Sequence, residues 1–193
     1  MAQKATAANG TRTREDPRVT RTRTLIREAL HDLMEQKPFS EVSVQDIAER
    51  ATINRASFYA HFADKYFLLE DSTRVAYQAA LAEHDAPVPL ETSPFLEMIA
   101  TATFTFIYTH KKCKLDKEFE PQISRVMQDA LYNSLRSRLG ESAALVVSSA
   151  MIGTAMRWRA DRYSRQPEEL VEKLVSVLTC GVQFEAAELH AAS

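Results

Sequence analysis

Leu25, Ile26, Ala29, Leu30, Leu33 and Met34 recur at spacings of three and four, which places them on one stripe of a helix beginning near Arg21. Pro38 ends that helix, because proline removes a donor and restricts the residue before it. Before it, residues up to about Val19 are Ala, Thr, Arg and Gln with almost no large apolar side chain, so residues 1–20 are expected to be a disordered tail. Ser43 and Asp46 then stand at the spacing of a capping box, with Val42 and Ile47 at that of a hydrophobic staple. The short helix they open runs to about Arg50, with Val44, Ile47 and Ala48 inward. Asn54 caps a second short helix to Phe62, and Asp64 caps a longer one that runs to about His84, before Pro87 and Pro89.

Further on, the apolar pattern predicts longer helices. Ser93-Pro94 is read as an N-cap followed by proline at the first helical position, opening a helix to about His110. Residues 111–120 are charged and irregular, and their lysines, Lys111, Lys112, Lys114 and Lys117, read as a solvated loop. A helix from near Pro121 to Leu139 stops at Gly140, and two more are expected over 141–162 and 167–189. Every element is helical in period, and prolines fall at breaks or first turns, so the fold class is all-α.

Composition narrows the function classes. Four glycines among 193 residues argue against a glycine-rich phosphate-binding fold, and no apolar run approaches the ~20 residues of a membrane span. Basic N-terminal residues with no apolar run behind them read against a secretory signal. Cys113 and Cys180 make neither a disulfide framework nor a metal spacing, and His110 with Cys113 offers too few ligands for a metal. The expectation is a soluble cytoplasmic protein without cofactor or metal. No G-x-S-x-G, H-E-x-x-H, P-loop or paired-cysteine motif points to an enzyme.

The net charge of −2 hides an asymmetry: 11 Lys+Arg against 9 Asp+Glu through Lys65, then 13 against 17. The first 23 residues alone carry +4. Such a tail reaches along phosphate backbones in some proteins and is simply disordered in others.

Residues 43–62 read S-V-Q-D-I-A-E-R-A-T-I-N-R-A-S-F-Y-A-H-F, a helix, a tight turn and a second helix. Ile47, Ala48, Ala51, Ile53, Phe58 and Phe62 form the packing between the two, with small alanines where they cross. The second helix would then expose Arg55, Ser57, Tyr59 and His61, while Ala56 and Ala60 keep its surface low enough to enter a major groove. The stretch from about Arg21 to Leu69 resembles the DNA-binding domain of the tetracycline-repressor (TetR) family. It carries the family's I-A-x-x-A as Ile47-Ala48-Glu49-Arg50-Ala51, and its Y-x-H-F and D-K as Tyr59-Ala60-His61-Phe62 and Asp64-Lys65.

The resemblance implies a three-helix DNA-binding domain over 21–69 and a larger helical domain over 70–193 for dimerisation and ligand binding, about nine helices in all. It implies that Arg55 and Ser57 read base edges, that Tyr59 meets a base or phosphate, and that Ser43, His61 and Lys65 hold the DNA backbone. Thr52 stands where the family commonly has glycine, so it must avoid or strain into positive φ, and its hydroxyl is a further phosphate donor. Taken singly, Tyr59 reads equally as a cover for the helix pair and His61 as a surface histidine.

Small residues over 141–162 (Ala143, Ala144, Ser148, Ser149, Ala150, Gly153, Ala155) and the stripe Leu170, Leu174, Val177, Leu178, Gly181 and Val182 over 167–189 are, by the same resemblance, a homodimer interface. Periodicity alone leaves open that both pack within one protomer. A dimer implies a palindromic double-stranded DNA operator. The resemblance further implies a pocket for a small-molecule inducer, with Phe104, Tyr108, Met127, Met151 and Trp158 as expected lining. The function expected is a ligand-responsive repressor, with an activator or an architectural DNA binder as alternatives and a small helical enzyme as a distant one.

Overall fold

A computed structural model describes the backbone of residues 16–83 and 92–191, and the side chains of 16–83 and 93–180. Its elements are α1 (Pro17–Gln36), α2 (Val44–Arg50), α3 (Arg55–His61), α4 (Lys65–Ala82), α5 (Thr92–Thr109), α6 (Glu120–Leu139), α7 (Glu141–Ala160) and α8 (Pro167–Ala191). Two 3-10 turns, Phe39–Glu41 and Lys117–Phe119, lie in segments expected to be breaks. The described residues thus form eight α-helices where about nine were expected.

The first correction falls on the tail. α1 begins at Pro17, not Arg21, because the Asp16 carboxylate accepts from the Arg18 N–H at 2.9 Å and Pro17 supplies a prearranged φ. The rest of the expected tail, residues 1–15, lies outside the described residues. Leu25, placed on the buried stripe by spacing, is 40% exposed, while Ile26, Ala29, Leu30 and Met34 are buried. α5 begins at Thr92, so Ser93 is a helical residue rather than the cap.

The capping box forms as expected. The Asp46 N–H donates to Ser43 Oγ at 3.1 Å, and the Ser43 N–H donates to Asp46 Oδ2 at 2.8 Å. Lys37 Nζ reaches the same carboxylate at 2.8 Å. The Lys37 ammonium, then the backbone and hydroxyl of Ser43, hold Asp46 down to about 2 from an ordinary 3.8. A depressed folded-state pKa contributes stability that is present above about pH 4 and lost as pH falls toward 2. The stability difference between the parent and Asp46→Asn, followed by urea unfolding, is therefore expected to hold from pH 7 to about pH 4 and to shrink between pH 4 and 2. A difference that stays constant through that window would remove Asp46 as its source.

One hydrophobic core runs through both halves. Ile26, Leu30, Phe39, Ile47, Phe58, Phe62 and Leu68 fill the space among α1 to α4, and Leu96, Phe104, Leu131, Ala144, Met151 and Trp158 fill the space among α5 to α8. α4 belongs to both, packing on α1 and also on α5 and α6. Gly140 joins α6 directly to α7 at φ 82°, a left-handed conformation that glycine adopts without strain.

The segment expected to be a solvated loop is instead a strap across the two halves. The Lys114 N–H donates to Met34 O at 2.8 Å, and the Phe39 N–H donates to Lys114 O at 3.1 Å. Lys114 Nζ closes on Gln36 O at 2.7 Å, and Asp116 accepts from the Ser40 N–H at 2.9 Å and its hydroxyl at 3.0 Å.

α7 divides its small residues between two faces, with Ser149 and Gly153 exposed and Ala150 half-buried. Ala143, Ala144, Ser148 and Ala155 are buried inside the protomer, where α6 and α7 pack closely. The outward face carries Leu145 and Val146, 54% and 60% exposed, with Val177 of α8 71% exposed. Gly181 and Val182 lie outside the residues whose side chains are described.

Candidate nucleic-acid interface

α2 and α3 are joined by a turn that Thr52 enters at φ 57°. A β-branched residue is strained there, and the turn holds it by Thr52 N–H to Glu49 O at 3.1 Å and Ile53 N–H to Ala48 O at 2.9 Å. Asn54 Oδ1 then accepts from the Ser57 N–H at 2.7 Å and starts α3. Phe58, fully buried against α1 and α2, fixes the rotation of α3. The opposite face therefore points outward.

That face carries Arg55, Ala56, Tyr59 and Ala60, all exposed, with Ser57 and His61 half-buried at its flanks. The Arg55 guanidinium stands 6.0 Å from the Tyr59 ring centroid, one helical turn away, and makes no ion pair among the described residues. Tyr59 packs its edge on Phe58 at 5.4 Å yet remains 49% exposed, so it both covers the helix pair and presents its hydroxyl. Arg50, by contrast, is held by Asp32.

Two expected backbone-holding residues are engaged elsewhere. The Ser43 hydroxyl accepts from the Asp46 N–H and donates to the Asp46 carboxylate at 2.8 Å, which uses it inside the capping box. Lys65 Nζ donates to Val42 O at 2.7 Å and to Phe39 O and Ser40 O, both at 3.1 Å. All three ammonium donors thus close the 3-10 turn ahead of α2, and desolvation at that site lowers the lysine pKa. This tie to the turn is a role in the fold that the resemblance did not imply for Lys65.

Sequence reasoning did not single out Asp71 of α4, whose side chain is 3% exposed. Its Oδ2 accepts from Arg27 Nε at 2.9 Å and Nη2 at 2.7 Å, and its Oδ1 lies 3.3 Å from Arg23 and within reach of Arg74. This ion cluster ties the first helix of the helix-turn-helix domain to α4. The available signal was an acidic residue three positions after the buried Leu68, on the inward stripe of α4.

A cavity of about 340 Å³ opens where α1, α4, the end of α5, α6, α7 and the strap meet. Of the five residues expected to line a pocket, only Met127 belongs to its wall. Phe104, Met151 and Trp158 are buried in the core, and Tyr108 is half exposed and stacked on Trp158 at 6.0 Å. The wall at the end of α5 is instead Phe106 and Ile107, followed by His110 just past it, and that of α7 is Met156 and Arg159. Helical period identifies faces, but which face meets a gap depends on how neighbouring helices are set.

Among the described residues no helix is long and apolar enough to cross a membrane. Residues 26–71 match the family of bacterial regulatory proteins, tetR family. Over 56 residues the chain is 38% identical to the uncharacterized HTH-type transcriptional regulator YxbF of Bacillus subtilis (strain 168), a stretch that is 28% of this chain and 15% of YxbF. In fold it is similar to the fatty acid degradation regulator FadR of Bacillus halodurans, with TM-score 0.61, 14% identity, and coverage of 82% of this chain and 94% of that one. It is also similar to the TetR family repressor AlkX of Dietzia sp. strain DQ12-45-1b, with TM-score 0.59, 17% identity, and coverage of 88% and 97%. The family and these neighbours are regulators, not enzymes.

Proposed function

We propose that this chain, a TetR-like DNA-binding regulator, works in the cytoplasm as a homodimeric repressor of a palindromic operator and is released from it by a small molecule. The observation that carries this reading is the outward face of α3, where Arg55, without an ion pair among the described residues, and an exposed Tyr59 stand between alanines on a helix locked by its own cap and by Phe58. Such a face enters a major groove with its first turn toward base edges. Thr52 and His61 flank it and suit phosphate contacts.

The dimer is built by α7 and α8. Leu145, Val146 and Val177 expose hydrocarbon on the outer surface, which a second copy would cover. Replacing Leu145 and Val177 together by glutamate is expected to shift the protein from dimer to a 21.8 kDa monomer in sedimentation. Affinity for a full palindrome should then fall by roughly 10²–10⁴, the gain that joining two binding modules ordinarily supplies. A doubly substituted protein that still sediments as a dimer would move the interface elsewhere.

The function itself is tested by selecting binders from a random duplex pool at ~150 mM salt, where non-specific affinity is weak. Enrichment of a palindrome, repressing a reporter placed behind it, is the expected result. Salt-sensitive binding without enrichment would identify an architectural protein instead, and an activated reporter would identify an activator.

A further inference from the structure

Residues 16–71, the described part of the DNA-binding half, carry eight Lys+Arg against ten Asp+Glu. Duplex DNA presents one negative charge about every 1.7 Å of its axis, so a domain of this balance holds it with cations that its own acids do not engage. Most are engaged. Arg23 and Arg27 face Asp71, Lys37 faces Asp46, Arg50 faces Asp32, and Lys65 closes on three carbonyls. Arg18, Arg21 and Arg55 are left, all exposed and without an ion pair among the described residues.

Arg55 stands at the start of α3, toward base edges, so the charged contacts to phosphate fall to the other two. Their place on α1 suits this. Asp32 of α1 meets Arg50 at the end of α2, and nine residues earlier Arg23 lies 4.7 Å from the ring centroid of Phe62, which closes α3. α1 therefore spans the helix-turn-helix from the end of α2 to the end of α3. Arg21 and Arg18 stand roughly 3 and 8 Å further along its axis. With Leu25 and Asp32 they fall on one stripe, at spacings of three, four and seven, so they share the side of α1 that meets the end of α2. Asp16, the acid beside them, has its carboxylate turned onto the Arg18 N–H at 2.9 Å.

We propose, resting on the regulator reading above, that Arg18 and Arg21 clamp DNA phosphates just outside each half-site and supply the electrostatic hold of the folded domain on DNA. They fix the register of α3 without reading sequence, because phosphates are the same at every base pair. Each guanidinium that neutralises a phosphate releases condensed counterions, so its contribution appears as salt dependence.

The test compares the full chain with Arg18→Gln/Arg21→Gln and Arg18→Lys/Arg21→Lys. Each is titrated against the selected palindrome and a duplex of unrelated sequence from about 50 to 200 mM salt. The glutamine pair is expected to reduce the slope of log affinity against log salt by about 1.8 per protomer, at about 0.9 per phosphate. The parental advantage then shrinks across that range by roughly tenfold for a monomer and roughly 10²-fold for a dimer. The lysine pair keeps two point charges and should keep the slope. Preference among single-base variants of the palindrome should not change with either pair. Melting curves should coincide, since both positions are exposed and Gln suits a helix about as well as Arg. An equal loss of slope in the lysine pair, or an altered base preference, would overturn the proposal. A parental slope that the glutamine pair leaves intact would sink this assignment alone. A slope loss without any selected palindrome would sustain it while sinking the operator reading, and a parent that binds no duplex would sink both.

Discussion

Asp71→Ala is expected to lower the unfolding free energy by about 3–5 kcal/mol, the range seen when one partner of a buried ion pair is removed. Arg27, with a side chain only 19% exposed, would keep its charge and lose both hydrogen bonds to Oδ2, while Arg23 loses the one ion pair it makes among the described residues. Arg74, 45% exposed, turns to water more easily, which places the cost toward the lower half of that range. Replacing both ends of the central pair, Arg27→Met with Asp71→Leu, should recover part of the loss, because the most buried cation goes with its partner and only Arg23 and Arg74, which reach water more easily, are left. Urea unfolding of the single and double variants at one protein concentration measures this; a single variant within about 0.5 kcal/mol of the parent would show that the cluster is a solvated surface feature. Binding of DNA should fall with the single variant as well, since α1 carries the domain that positions α3.

The second large effect is on DNA affinity alone. Arg55→Ala is expected to cost about 1–3 kcal/mol at each half-site and so about 2–6 kcal/mol for a dimer on its palindrome, with relaxed preference at the base pair it reads. That is a weakening of roughly 30-fold to 10⁴-fold. Stability should be unchanged, because Arg55 is exposed and makes no ion pair among the described residues. Lys65→Ala should behave in the opposite order: three carbonyls lose a charged donor, and the fold is destabilised by roughly 1–3 kcal/mol before any DNA is present. Competition binding on the selected duplex and on single-base variants, together with melting curves, separates the two. An Arg55→Ala protein with parental affinity and base preference would remove that side chain from the readout.

The helix-turn-helix was legible residue by residue. Ser43 with Asp46, Asn54 with Ser57 and Asp64 with Phe67 each form the hydrogen bonds that their spacing predicts. Buried Ile47, Phe58 and Phe62 then turn Arg55 and Tyr59 outward, as the pattern required. One local signal was passed over, Asp16-Pro17, whose cap brings residues 17–20 into α1. Thr52, where the expected glycine is absent, accepts a φ of 57° rather than another turn.

What the sequence determined by itself is what depends on neighbours within about one helical turn: caps, breaks, the helical period and the outward face of α3, since those interactions are made inside a short segment whatever surrounds it. Only the tertiary structure decided what depends on helices far apart in the chain. It turned the Lys65 ammonium onto carbonyls 23 to 26 residues earlier and brought Asp71 to Arg27 across 44 residues. It laid residues 111–119 over the end of α1 and opened the cavity beside Ser72 and His110 rather than among Phe104, Met151 and Trp158. The reason is geometric: a helical stripe specifies that a face is buried, while the crossing and offset of its neighbours specify which atoms it meets there.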